Sequence, residues 1–113
     1  MKKIIFLLVI FFNIFGNALA EEIKRIAVGK EDAKITIIAF ESLTCSHCAN
    51  FHKNVYPKLK EEYLDTGLAK IEFRHFPLDI AAFNASKVAQ CKNDGNSDIL
   101  ESLYLNQQKW VKG

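Results

Sequence analysis

The junction between Lys34 and Tyr63 constrains the fold more than any other part of the chain. "KITIIAF", Lys34 to Phe40, is β-branched and almost continuously apolar, the signature of a strand buried on both faces. The cysteine pair of "LTCSHCANFH" follows at once. Cys48, Phe51, Val55, Leu59 and Tyr63 then recur at spacings of three and four, which predicts one face of a helix with Lys58, Lys60, Glu61 and Glu62 mostly on the solvent side. Thr44 is the expected N-cap and Gly67 the expected stop. Pro57 lies inside the pattern and should kink it, because it lacks an N–H and crowds the preceding turn.

Downstream, Leu68 to Phe76 ("LAKIEFRHF") reads as a second strand with loose alternation, closed by Pro77. Asp79 to Cys91 predicts a helix with Ala81, Ala85, Val88 and Ala89 inward. "NDGNSD", Asn93 to Asp98, is a turn cluster. Ile99 to Val111 predicts a last helix with Leu100, Leu103 and Tyr104 facing in. The order strand, helix, strand, helix, helix implies an α/β fold with a right-handed parallel crossover. Ile23 to Val28 offers a short third strand. There are no internal repeats.

The first twenty residues stand apart from this domain. Lys2 and Lys3 precede the apolar run "IIFLLVIFFNIF", and Ala18 and Ala20 are small residues two apart just before Glu21 and Glu22. That is the layout of a secretory signal peptide over residues 1–20, cleaved after Ala20. A run of this length is short for spanning a bilayer, which needs ~20 residues, so no lasting membrane anchor is expected. The formal charge is +2, and Lys2 and Lys3 account for it. The mature chain is then formally neutral, without a basic stripe, and nucleic-acid binding is not expected. Export places the three cysteines, Cys45, Cys48 and Cys91, in an oxidising compartment, where one must remain unpaired within the molecule.

A thiol at the first turn of a helix faces the positive end of the macrodipole and unpaired N–H groups, so the Cys45 pKa should fall. His47, if protonated or donating a hydrogen bond, acts in the same sense. Cys48 lies one turn inward and begins the buried face. Cys45 is therefore the expected exposed nucleophile and Cys48 the shielded partner. A purely structural disulfide over so short a loop stabilises little. A zinc or copper site on Cys45, His47, Cys48 and His52 is the rival reading, but no second ligand pair follows and no metal is expected. Haem attachment would need a histidine where Ala49 stands. His52 reads as a half-exposed helix residue and His75 as a strand-end packing or capping residue. Glu41 either influences the proton balance of the cysteines or is a solvated loop carboxylate. Cys91 reads as a small buried hydrophobe.

The stretch "IIAFESLTCSHCANFHKNVYPKLKEEYLDTGLAKIEFRHFPLD" resembles the bacterial DsbA-like proteins of the thioredoxin superfamily, and the similarity extends over Lys34 to Trp110. Its specific parts are the C-x-H-C motif, the "FH…YPKLK" helix and the "FRHFPLD" strand exit. The resemblance implies a periplasmic thiol–disulfide oxidoreductase with a thioredoxin-like fold interrupted by a helical insertion, here about residues 79–113. Its catalytic cysteines would be Cys45 and Cys48, with Ser46 and His47 as the dipeptide that tunes them. It implies no cofactor. Its partners would be protein thiol or disulfide substrates and a redox partner that recharges the pair. Family members carry a late proline with a cis bond, whereas this chain has only Pro57 and Pro77, and Ala39 stands where some relatives place a buried acid. Residues 21–113 are accordingly expected to form the N-terminal part of such a domain, with its terminal strands and final helix missing.

Overall fold

The computed structural model describes residues 21–112; the leader expected over residues 1–20 lies outside the described residues. Among the described residues three strands and five helices appear in the order β1 (Ile26–Gly29), β2 (Ile35–Glu41), α1 (Ser46–Asn54), α2 (Tyr56–Leu59), β3 (Ala69–His75), α3 (Ile80–Gln90), α4 (Asp98–Leu105) and α5 (Gln107–Trp110). A π-helical segment, Lys60–Leu64, continues α2. The sheet order is β1-β3-β2. β2 pairs with β3 in parallel from Ile35↔Ala69 to Glu41↔His75, as a strand–helix–strand crossover requires. The short third strand exists as β1, begins three residues later than expected, and pairs antiparallel with β3. β3 is therefore central.

The core occupies one face of this sheet. Ala69, Ile71 and Phe73 of β3 and Ile26 of β1 pack against Tyr56, Leu64, Leu100 and Tyr104. Burying side chains of this size contributes roughly 1.5–3 kcal/mol each relative to exposure. The opposite face carries Ile38 and Phe40 beside Glu72 and Arg74, and Phe40 keeps 64% of its surface exposed. The expectation that β2 is buried on both faces is thus corrected. Its apolar run is covered on one side only, and the Arg74 guanidinium lies 5.7 Å from the Phe40 ring centroid on the other.

Helical registers also differ from those that the spacing predicts. Pro57 is the second residue of α2, which starts after a break at Val55, close to the expected kink. Beyond it, the π segment closes with Asp65 N–H donating to the Lys60 carbonyl (2.9 Å), one residue more per turn than an α-helix. The buried residues become His52, Tyr56 and Leu64, while Val55 and Tyr63 turn outward. In α3 the inward stripe is Ala82, Ala85, Ser86 and Ala89, and Ala81 and Val88 are exposed. The last helix is two helices, α4 and α5, broken at Asn106. Leu100 and Tyr104 do face in. Gly67 ends the π segment at φ +82, a left-handed conformation that glycine adopts without a Cβ penalty.

Candidate active site

β2 ends at Glu41, and the loop of residues 42–45 carries the chain onto the sheet's core side and into α1. Cys45 N–H donates to the Ser42 carbonyl (3.0 Å), which closes the turn. The N-cap is Cys45 itself, at φ −74 and ψ 119; its Sγ accepts from the Cys48 backbone N–H at 3.4 Å. Thr44, the expected cap, instead donates its hydroxyl to Asp79 Oδ2 (2.6 Å). The other oxygen of Asp79 accepts from Ala82 N–H (2.7 Å) and caps α3. One carboxylate thus joins the cysteine loop to the helix after β3. Leu78 N–H donating to Ser42 Oγ (3.3 Å) and Phe76 N–H donating to the Glu41 carbonyl (2.8 Å) reinforce that seam.

Both thiols are free and half-buried. Their surroundings push them apart. The Cys48 backbone N–H is the chief influence holding the Cys45 pKa below an ordinary thiol's, helped by the Cys48 side chain and the His47 backbone N–H against burial and the Glu41 charge. Burial pushes Cys48 up to about 11, aided by its hydrogen bond to Cys45 and by the charges of Cys45 and Glu41. The shifts run in the expected directions, Cys45 down and Cys48 up, although Cys45 is half-buried rather than exposed. Ser46 and His47 are exposed, and His47 acts here through its backbone rather than its imidazole.

Beneath the pair lies a second cluster, in places the sequence does not suggest. His52 is buried, 1% exposed, rather than half-exposed, and its Nε2 lies 2.8 Å from Glu41 Oε2. Its ring stacks on Tyr104 at 4.1 Å and 15° and touches Tyr56 and Phe73. Glu41 is buried as the last residue of β2, neither in a loop nor solvated. The apolar residues of β2 and the helical spacing conceal both, because a charged residue closing such a strand reads as the start of solvent. His52 falls on the inward stripe only once the helix register is known. His75 ends β3 opposite Glu41, and burial pulls its pKa down while the Glu41 charge opposes. Among the described residues no group of three or more His, Cys, Asp or Glu side chains is arranged to hold a metal ion. His52, one of the two histidines drawn into the metal reading, is engaged with Glu41. Cys91 is exposed at the C-cap of α3, contrary to its reading as a buried hydrophobe.

No sequence pattern singles out Gln107. It is buried, and its Nε2 donates to the carbonyls of Leu43 (2.8 Å) and Cys45 (3.0 Å). A local signal is lacking because its partners lie more than sixty residues earlier in the chain.

This strand–cysteine loop–helix arrangement recurs in known proteins. A family model described as thioredoxin matches residues 21–113. The crystal structure of Wolbachia pipientis alpha-DsbA1 superimposes with a TM-score of 0.71 at 36% identity, over 82% of this chain and 48% of that one. The chain belongs to the DsbA-like branch of the thioredoxin superfamily. A Rickettsia bellii protein that carries a provisional protein-disulfide oxidoreductase name is 39% identical over 85 residues, 74% of this chain and 33% of that protein. Disulfide bond formation protein D of Bacillus subtilis is 28% identical over 93 residues, 74% of this chain and 42% of its own length. The DsbA-like chain therefore spans about a third of the Rickettsia relative and about half of the solved Wolbachia protein.

Proposed function

We propose that the chain is the N-terminal, cysteine-bearing part of an exported thiol–disulfide oxidoreductase that exchanges the Cys45–Cys48 disulfide with protein substrates. The opposed displacement of the two thiols across one helical turn carries this reading. In the donating direction a substrate thiolate attacks Cys45 Sγ and forms a mixed disulfide as the Cys45–Cys48 bond breaks. Cys48 leaves as a thiolate and, with its pKa near 11, takes up a proton at neutral pH. A second substrate thiolate then attacks the substrate sulfur of the mixed disulfide. Cys45 departs as a thiolate, stabilised where the Cys48 and His47 N–H groups converge. The substrate loses two electrons to the pair. A redox partner must then reoxidise it. A low pKa at Cys45 stabilises the reduced form and so favours donation.

On this reading residues 1–20 are a signal peptide that directs the chain to the periplasm. Ser46 and His47 tune the pair through their place in the first turn of α1, and residues 79–113 belong to the helical insertion. Reduced-peptide oxidation by the full chain, followed with Cys45→Ser and Cys48→Ser variants on non-reducing gels, tests the mechanism. Cys45→Ser should abolish exchange, and Cys48→Ser, offered a disulfide-bonded peptide, should accumulate the mixed disulfide as Cys45 attacks and one peptide thiolate leaves. Exchange that persists in Cys45→Ser sinks the assignment. A glutathione redox titration fixes the direction.

A further inference from the structure

Gln107 lies outside the chemistry described above, yet it is the side chain that reaches the cysteine loop from farthest along the chain. It is the first residue of α5, just after the break at Asn106, and is 8% exposed. Its carboxamide places both donor bonds on the loop, at the carbonyls flanking Thr44. Leu43 is fully buried, so water cannot replace Gln107 at its carbonyl. The Cys45 carbonyl also accepts the first hydrogen bond of α1, from Ala49 N–H at 3.1 Å.

We propose that Gln107 is a positioning residue for the nucleophile, clamping the backbone on both sides of Thr44 so that Cys45 Sγ stays over the Cys48 N–H. The inference rests on the reading of Cys45 as the attacking sulfur. The Sγ to Cys48 N separation is 3.4 Å, an ordinary length for a sulfur acceptor, and rotation about the Cys45 backbone lengthens it. Without the two donors, the Leu43 and Cys45 carbonyls are left short of partners, and rotation toward solvent is their way to regain them. That rotation carries Sγ away from the N–H that does most to hold its pKa down. Gln107 is thus the link by which the α4–α5 segment sets the reactivity of a thiol at the start of α1.

The test is the pH profile of iodoacetamide labelling at Cys45 in the reduced full chain, read by mass spectrometry of the Cys45 peptide. Gln107→Met keeps the length and removes both donors; the neighbouring exposed Gln108→Met controls for altered helix packing. The labelling midpoint should rise in Gln107→Met by about half a pH unit, leaving about threefold less thiolate near pH 6, and stay put in Gln108→Met. An unchanged midpoint in folded Gln107→Met overturns the proposal. If the Gln107 variant does not fold, the wild-type Gln107 side-chain amide resonances carry the test. They should shift with the midpoint at which Cys45 labels, and resonances that ignore that midpoint overturn it. A wild-type Cys45 that labels like a peptide thiol defeats the nucleophile reading instead, so the two failures are distinguishable.

Discussion

Glu41 and His52 form a buried, hydrogen-bonded polar floor beneath the cysteine pair. The Glu41 carboxylate raises both thiols, so Glu41→Gln should lower the pH at which Cys45 labels with iodoacetamide. The same change weakens a buried hydrogen bond to His52 and should cost about 1.5–3 kcal/mol, measured by urea unfolding. The two effects have opposite value for the protein, and only the first speaks to the chemistry. The cysteines are legible in the sequence because two thiols three apart, set between an apolar strand and an amphipathic helix, point to redox chemistry. Their floor is not, because a lone Glu and a lone His gain meaning only when tertiary packing brings Oε2 within 2.8 Å of Nε2. Linkage follows from the thiols themselves. For the reduced chain, Cys45 with its depressed pKa contributes stability that is complete above the ordinary thiol value of 9.0 and declines as pH falls through its own lower pKa. Cys48, raised to about 11, acts in the opposite sense and removes stability as pH climbs from 9.0 toward 11. Burial pushes Tyr56 up to about 12 and Tyr104 higher still, which extends that alkaline loss. Urea midpoints of the reduced chain should therefore pass through a maximum near pH 9 among these groups' contributions, and a flat profile over that range contradicts the assigned environments.

At the scale of elements, periodicity locates the helices and strands but misjudges which side faces in. The π segment explains the second half of the α1–α2 stripe: one extra residue in the turn exchanges Tyr63 for Leu64. No composition rule announces such a turn, because Lys60–Leu64 contains ordinary helix formers. Small residues hide the register of α3, where Ala81, Ala82, Ala85 and Ala89 leave two faces nearly equal in size. Capping is more tractable. Asp79→Ala removes the α3 cap and the Thr44 bond together, so it should lower the melting temperature and also loosen the cysteine loop, seen as faster amide exchange at Leu43 and Thr44. Gly29 makes the sharper case. At φ +112, a Cβ there would sit 2.7 Å from the Ala69 carbonyl oxygen of the neighbouring strand. Gly29→Ala should destabilise the chain by about 1–3 kcal/mol in urea unfolding, whereas alanine at an exposed strand position would be nearly neutral.

Over the whole molecule, the sheet is finished on one side and open on the other. A continuous apolar run predicts a strand covered twice, and among the described residues β2 is covered once and paired along one edge. The run is indeed a strand, and no residue among 21–112 covers its second face. Exposed β-branched and aromatic residues on an unpaired edge strand favour association between copies. Phe40→Glu should therefore reduce self-association by light scattering at high protein concentration while changing the unfolding midpoint little, since Phe40 contributes little to the core. Unchanged scattering would assign the association, if any, to another surface.

The two carbonyl clamps on the cysteine loop come from residue 107, and their partners are residues 43 and 45. Chains are made from the N-terminus, so both sulfurs are synthesised some sixty residues before the carboxamide that holds their loop, and the clamp closes only once α5 has docked.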